Sequence, residues 1–505
     1  MRNVFDKEIS PWLVGSVVLG VVAYGGLLFM PSAEPLVSEA ELDRMLFESD
    51  PLPAGAAIAV AAWLLWRRWN EFAALPQVRP RFAPVFFAPG ILAAAWSALN
   101  DAPDWLLLSL DAHLLAFAAW TRGRAGVRVL ITPAIALLFA VPLPGPFENE
   151  VIWSLQRFAA SGTVWLHGLA GLGTTGDGVM LSRQGSGFLV IETCSGLRTL
   201  LILSLVSLVI RDLFRESGWR SWLAVVLAPP VACLANLVRV AWVVASGASE
   251  ASAGHVSQGL STLAAGTLIL FGLAHVFCRA EPERRATTPP PCRLPWRLAC
   301  GVLLVTAAVT HLIPAWPLSE AGRFAALDAF ADREEWVGED LSPDWLFLGS
   351  LPFGSVVQRR FERETEGGRI DVVELFAGRE SAREPRSSPF SSNLALPARD
   401  WGVLQREKRS DWRLFLELDV VVATRGDERA LVRTWRPGSE RLLHETLRSL
   451  FALERGPFGR ERPRTFVRLA TPLLEGGTAD RRAAERILDG FVVDYREALD
   501  ALGEG

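Results

Sequence analysis

Apolar segments alternate with short charged loops over roughly the first 317 residues of this 505-residue chain. Each apolar segment is roughly 15–27 residues long, the range expected of a helix that crosses the hydrocarbon core of a bilayer. Because lipid offers the backbone no hydrogen bonds, such segments must be helical. The pattern therefore predicts a polytopic α-helical membrane part over residues 1–317, followed by a different kind of domain.

The apolar segments predict about eight to nine transmembrane helices. Their approximate positions are 11–30, 51–66, 82–99, 104–120, 127–142, 196–210, 221–246, 257–278 and 298–317. The second and fifth are short for a full crossing, so the count falls to eight if they insert only partly.

Basic residues gather before the first predicted span and after the second, fourth, sixth and eighth, as in Arg2, Lys7, Arg67, Arg68, Arg122, Arg124, Arg211, Arg215, Arg284 and Arg285. The intervening loops are acidic or neutral. Since short cytoplasmic loops carry the Lys/Arg excess, we predict a cytoplasmic N-terminus and an extracytoplasmic C-terminus.

Cys194 lies where a polar, glycine-rich stretch gives way to an apolar run, at a predicted helix start. A helix N-terminus favours an anion such as a thiolate, so Cys194 is the best nucleophile candidate. Arg239 near the end of the seventh span and His255 before the eighth fall on the same outer side. Taken singly, these residues could be a buried thiol, a snorkelling arginine and an interfacial histidine. Their shared side predicts a Cys/Arg/His site.

The outer loop before Cys194 has its own predicted elements. Glu150 to Leu169 shows helical periodicity and predicts an interfacial amphipathic helix, with Trp153 and Trp165 as headgroup-level anchors. Val179 to Leu181 and Phe188 to Ile191 then predict a hairpin. The other histidines show no ligand spacing, so we expect no metal site, and no cofactor is predicted.

Three blocks in this order resemble the exosortase/archaeosortase family of membrane transpeptidases: Glu192-Thr-Cys-Ser-Gly-Leu-Arg198, Asn236-Leu-Val-Arg239, and His255 followed by Gly259. The similarity covers most of residues 1–280. It implies a cysteine peptidase or transpeptidase that cleaves C-terminal sorting signals, typically a Pro-Glu-Pro-like motif with a membrane helix and a basic tail, from exported proteins. It also implies a multi-pass location in the bacterial cytoplasmic (inner) membrane, with exported proteins and the lipid bilayer as partners and no nucleic acid.

The residue types suit such a reaction. A thiolate at Cys194 would attack the scissile carbonyl and form a thioester. His255 can carry the proton, and Arg239 can hold the developing oxyanion or the acidic residue of the signal. The sequence does not separate these roles. Three weaker supporting residues are predicted: Glu192 or Ser195 beside the thiol, and Asn236 as an orienting partner of Arg239.

Residues 318–505 are rich in charge, lack cysteine and predict a soluble extracytoplasmic α+β domain. Extended segments are predicted at 353–361, 370–376, 412–423 and 431–435, and helices at 440–453 and 478–502. Leu396-Pro-Ala-Arg-Asp-Trp401 and the stretch from Arg464 to Pro472 resemble the exopolysaccharide-type domain associated with exosortases. That resemblance implies an accessory role, in substrate capture or in contact with exopolysaccharide machinery. The alternative function is a non-enzymatic membrane component of polysaccharide assembly or export whose outer domain binds a partner.

Overall fold

The computed structural model describes most of the chain. The described residues are 11–24, 54–78, 83–214, 219–247, 253–277, 296–316, 333, 335–348, 351, 353–365, 368–380, 391–411, 416–435, 442–453, 457–458, 465–474 and 478–497. Within the helix that begins at residue 253, side chains are described from residue 258 onward.

Nine helices lie in the membrane part of the described chain: α1 Pro11–Tyr24, α2 Ala54–Ala74, α3 Ala83–Asn100, α4 Asp104–Leu138, α5 Gly145–Leu169, α6 Leu197–Phe214, α7 Leu223–Ser246, α8 Ala253–Phe277 and α9 Trp296–Leu312. Every predicted span overlaps one of them, and residues 25–30 of the first span lie outside the described residues. The fourth and fifth predicted spans both lie on α4, which breaks at Gly123, where φ is 64° and ψ is −151°. Glycine tolerates that backbone conformation because it has no Cβ.

Three helical segments of the described chain are long and apolar enough to cross a membrane: Glu192–Phe214, Trp219–Ser246 and Gln258–Phe277. Val85–Asn100 and Arg297–Leu312 are shorter apolar helices. On α7, the side chains of Leu234, Val238 and Trp242 are each more than half exposed and recur every fourth residue. Such an apolar stripe suits contact with lipid. The count of eight to nine spans stays a prediction.

A small antiparallel sheet connects α5 to Cys194. Its strands are β1 Thr175–Asp177, β2 Met180–Arg183 and β3 Ser186–Leu189, in the order β1-β2-β3. The predicted hairpin is confirmed as β2–β3, and its two turn residues, Gln184 and Gly185, have φ of 52° and 80°. Positive φ at both positions is the conformation of a type I′ turn, which matches the twist of paired strands.

The C-terminal part is built on a seven-stranded antiparallel sheet in the order β4-β5-β6-β10-β9-β8-β7. Its strands are β4 Val337–Asp340, β5 Phe353–Glu364, β6 Ile370–Glu380, β7 Gly402–Asp411, β8 Leu416–Arg425, β9 Glu428–Trp435 and β10 Thr465–Leu473, with helices α10 Trp345–Leu348, α11 Leu442–Leu450 and α12 Thr478–Asp494. A sheet-containing domain agrees with the predicted α+β class. The prediction did not include strands β4, β7 and β10.

The two faces of this sheet pack against different partners because side chains alternate along a strand. One face, which includes Phe361 and Leu469, is covered by Leu488 and Phe491 of α12. The opposite face, which includes Phe376, packs in a second cluster that extends into the membrane part. The sheet therefore lies directly on the helical bundle.

Specific side-chain contacts form the joint between α5 and the C-terminal part. The rings of Trp153 on α5 and Phe347 on α10 meet edge to face at 6.1 Å. The Ser392 N–H donates to Glu150 Oε1 at 2.6 Å. The prediction that Trp153 anchors at the headgroup level is wrong, since the C-terminal part leaves it only 6 % exposed. Trp165, three turns further along α5, is 63 % exposed and is free to take that role.

Arg468 holds the 392–396 segment, which contacts the membrane part, against the sheet. Its guanidinium is buried on β10 and donates to the carbonyl oxygens of Leu394 and Leu396. Burial lowers the pKa of Arg468 to about 10, partly offset by Glu374. A buried cation bonded to two main-chain carbonyls fixes the 392–396 segment against the sheet.

Candidate active site around Cys194

Cys194 ends a short 3₁₀ turn, Glu192–Cys194, that leads from β3 to α6. The Cys194 N–H donates to the Ile191 carbonyl oxygen, and the Ser195 N–H to that of Glu192, both at 2.9 Å. The Ser195 hydroxyl accepts from the N–H of Leu197, the first residue of α6, at 3.3 Å. The thiol thus lies three residues before the start of α6, as the sequence predicts, and Ser195 bonds to the helix start.

Asn236 on α7 holds the backbone of this turn. Its Nδ2 donates to the carbonyl oxygens of Cys194 and Ser195, each at 3.0 Å. The side chain is 2 % exposed, and its Oδ1 has no hydrogen-bond partner among the described atoms. Asn236 was predicted to orient Arg239, whereas its described hydrogen bonds run to the thiol turn.

Gly196 allows that close approach. Its φ is +92°, and a Cβ placed on it would lie 2.6 Å from Cγ of Asn236. No other residue could occupy this position without moving α7 or unwinding the turn. The glycine of the Cys-Ser-Gly sequence is therefore a packing requirement of the thiol turn.

Arg239 lies one helical turn after Asn236 on α7 and reaches toward α8. A Cβ built on Gly259 would be 3.9 Å from Cζ of Arg239. His255 is four residues before Gly259 on the same helix, so the two positions share a face. The side chain of His255 lies outside the described residues. The backbone nevertheless brings the His255 position to the helix face that Arg239 approaches.

Glu192 faces the C-terminal part. It is 8 % exposed and lines a cavity of about 20 Å³ together with Gln156 of α5 and Asn393. Gln156 Nε2 also donates to the Val190 carbonyl oxygen at 2.9 Å, which ties α5 to the segment just before the turn. The Glu192 carboxylate therefore lies at the boundary between the two parts of the molecule.

Cys194 itself is 8 % exposed and belongs to a hydrophobic cluster shared by both parts. Members from the membrane part include Trp153, Ile191 and Val240, and members from the C-terminal part include Phe347 and Trp401. The thiol and residues of the C-terminal part thus belong to one packed cluster.

Residues 54–280 match the family model of the transmembrane exosortases. Over this region the chain belongs to the transmembrane exosortase family. The matched region contains Cys194, Arg239 and His255, together with every element of the site described above except those from the C-terminal part. The chain matches no curated protein and no solved structure.

Membership of the exosortase family places the protein in a membrane and gives it a transpeptidase-like role in general terms. The family match ends before β4, so the likeness of residues 318–505 to an exopolysaccharide-type domain stays a prediction. In the described part of the exosortase, no three His, Cys, Asp or Glu side chains group as metal ligands would.

His167 is a residue of the exosortase site region that the sequence reasoning left without a role. It is 3 % exposed, with Nε2 2.9 Å from the Ala241 carbonyl oxygen and Nδ1 2.7 Å from Thr174 Oγ1. Because a carbonyl only accepts, Nε2 carries the proton. His167 therefore joins α5 to α7, the helix that carries Asn236 and Arg239. The helical spacing of His167, four residues after Thr163 on the buried face of α5, is the sequence feature that could have indicated this role.

Proposed function

We propose that this exosortase is a membrane cysteine transpeptidase or peptidase that cleaves C-terminal, Pro-Glu-Pro-like sorting signals from exported proteins through a thioester at Cys194. The observation that best supports this proposal is that the thiol turn, α7 and α8 come together. Asn236 ties the thiol turn to α7, and Arg239, one turn further on α7, lies against α8 on the face that also bears the His255 position.

In the proposed reaction His255 takes the proton of the Cys194 thiol, the thiolate adds to the scissile carbonyl carbon, and the carbonyl oxygen becomes an oxyanion. Arg239 stabilises that oxyanion or binds the acidic residue of the signal. The C–N bond then breaks, and His255 gives the leaving amine that proton. An acceptor amine or water attacks the thioester and gives its proton to His255. The C–S bond breaks, and the released thiolate takes the proton back from His255.

The proposed orientation places the N-terminus in the cytoplasm and both the thiol and the C-terminal domain outside. It is supported by Asp212 near the end of α6, which accepts from Arg67 at 2.9 Å and from Arg68 at 2.5 Å. The two arginines directly follow the second predicted span, and Asp212 follows the sixth, so both positions were predicted to share the cytoplasmic side. At the other end of the bundle, Trp105 Nε1 donates to the Leu450 carbonyl oxygen of the C-terminal part at 2.9 Å.

Labelling tests the orientation. A cysteine introduced at Ser387 should react with an impermeant maleimide in intact spheroplasts. Labelling only after membrane rupture would contradict the proposed topology.

Processing of an epitope-tagged exported protein with a C-terminal sorting signal tests the enzyme. Cys194→Ala and Cys194→Ser should abolish processing, while Cys233→Ala, a matched change in a half-buried thiol of α7, should not. His255→Ala should cost about 10²–10⁴-fold. Arg239→Lys should also impair the reaction, since an ammonium lacks the forked donors of a guanidinium.

Mass analysis of the new C-terminus distinguishes transfer from hydrolysis. Normal processing by Cys194→Ala would reject the enzyme and favour the non-enzymatic alternative in polysaccharide assembly. Normal processing by Arg239→Ala would remove Arg239 from the site.

A further inference from the structure

A groove of about 780 Å³ lies between α5 and the C-terminal sheet. The α5 side contributes Phe158 and Val164, and the sheet side contributes Trp401 and Val403. Grooves of this size are typical of ligand sites, and this one is lined by apolar and polar side chains in similar measure, including Arg157 and Arg406. The proposed reaction leaves this groove without a role.

Strand β7 forms one rim of the groove and is an edge of the seven-stranded sheet. Within the described chain β7 pairs with β8 alone. An edge strand presents a row of main-chain N–H and C=O groups that can pair with an added strand.

The apolar residues of β7 lie at the end of the strand nearest the groove, and Val403 lines the groove itself. Val403 is 53 % exposed and Leu404 57 %, next to a bulge in the pairing with β8. Natural edge strands are usually protected by charge, and the rest of β7 follows this rule with Arg406, Lys408 and Arg409. An exposed apolar pair at the open edge therefore marks a docking position.

Charges beside the groove are only partly paired. Arg406 makes a two-pronged contact with Asp419 on β8. Hydrogen bonding to Asp419 raises the pKa of Arg406, and the Glu150 carboxylate of α5 contributes to the same shift. Arg157 of α5 also lines the groove, so the groove offers an occupant apolar contacts and a further cation.

The groove borders the packed cluster that contains the thiol. Its lining residues Trp153, Leu181 and Trp401 belong to the same packed cluster as Cys194. A polypeptide whose scissile bond reaches Cys194 has this groove beside it on the same end of the bundle.

We propose that the groove binds an extended segment of the exported substrate, which pairs with β7 as an added strand. The proposal rests on the proposed function and adds the place where the substrate docks. The C-terminal domain then supplies part of the substrate-binding site, with Val403 and Leu404 as the contact on its edge strand.

Photo-crosslinking in the full-length membrane protein tests this proposal. The tagged substrate is coexpressed with Cys194→Ala carrying p-benzoylphenylalanine at position 403 or, as a matched control, at Val493, an equally exposed valine on α12 across the sheet. We expect a substrate adduct from position 403 and none from position 493. With the crosslinker moved along the substrate, reactive positions should alternate with the period of two residues that a strand shows.

A kinetic pair completes the test. Val403→Asp should raise KM by about tenfold with kcat unchanged, whereas Val493→Asp should match the parent. Suppose that the parent processes the substrate, no adduct forms at position 403, and the two variants have equal kinetics. The proposed docking in the groove would then be overturned, and the proposed enzymatic function would remain. An adduct at 403 that joins two copies of the chain would also overturn it, in favour of a self-association surface. Absence of processing by the parent would instead reject the proposed function.

Discussion

Gly196 makes the thiol turn possible, and its replacement should be costly. We expect Gly196→Ala to lower the stability and to abolish processing, because positive φ alone costs a side chain roughly 1–2 kcal/mol and the new Cβ would overlap Asn236. Gly272→Ala on α8 is the control, since nothing lies within 4 Å of a Cβ there. Thermal unfolding in detergent measures both variants, and equal midpoints would contradict the assigned packing.

Asn236 should act as a positioning residue for Cys194. In Asn236→Asp the carboxylate would face the carbonyl oxygens of Cys194 and Ser195, so two hydrogen bonds become repulsions. We expect processing to fall at least about tenfold and the alkylation rate of Cys194 to change. Asn100→Asp is the control, because Asn100 is also buried and donates to a main-chain carbonyl, that of Trp96. Unchanged thiol reactivity in Asn236→Asp would reject the positioning role.

The sequence points to candidate residues of the site but does not predict what those residues contact. Cys194 and Arg239 are visible from their motifs, and the family match contains them. The partner of Asn236 was not predictable, because it depends on how α7 packs against a turn 41 residues away along the chain. Trp153 shows the same difficulty, since an aromatic residue at a membrane boundary has the same pattern whether lipid or another domain covers it.

Among the elements, β7 and α12 are joined by an exposed charge network that should respond to acid. Glu407 of β7 accepts from Arg481 of α12 at 2.9 Å, and Arg409 donates to Glu485 at 3.0 Å. Hydrogen bonds from Arg409 and then Arg481 lower the pKa of Glu407. A depressed carboxyl pKa gives stabilisation that is present above the unfolded value and is lost as pH falls through the folded value.

We therefore expect Glu407→Gln to lower the thermal midpoint slightly at pH 7 and to make no difference near pH 3. High salt should also reduce the effect at pH 7, since the network is exposed. Asp427→Asn in the turn between β8 and β9 is the control. A difference between parent and Glu407→Gln that persists unchanged at low pH would contradict the network.

Helices and strands whose apolar residues recur with a clear period could be predicted from the sequence, and the others could not. The apolar runs of the bundle and strands β5 and β6 stand out from the sequence, and part of β9 does so although it is buried at six of its eight positions. Strand β10 is buried at nearly every position, so alternation is lost. Strand β7 is charged along most of its length, because α12 offers it salt-bridge partners on one face and its edge faces solvent.

At the scale of the whole molecule, the C-terminal part should shield the thiol. We expect Phe347→Ala to speed maleimide alkylation of Cys194 in a variant without the other four cysteines. Loss of the ring against Trp153 weakens the joint, and each 1.4 kcal/mol raises the open fraction about tenfold. Phe458→Ala, at a site 60 % exposed, is the control. Equal rates in the two variants would show that the joint does not limit access to Cys194.

The sequence predicted two parts and their common side, but it could not predict that they share one core. Contacts such as Trp105 with Phe451, whose rings lie 5.4 Å apart, join segments far apart in the chain. No local sequence pattern predicts such a pair, because each aromatic residue fits the pattern of its own segment whether or not the other ring is beside it.

Gly178, in the turn between β1 and β2, shows how deeply the two parts are fitted to each other. A Cβ there would lie 2.9 Å from the Trp401 carbonyl oxygen. A glycine in the exosortase region thus leaves the space that the backbone of the C-terminal part occupies. Two polypeptides divided between α9 and β4 would keep matching surfaces, so a split gene could yield the same assembly by reassociation of its halves.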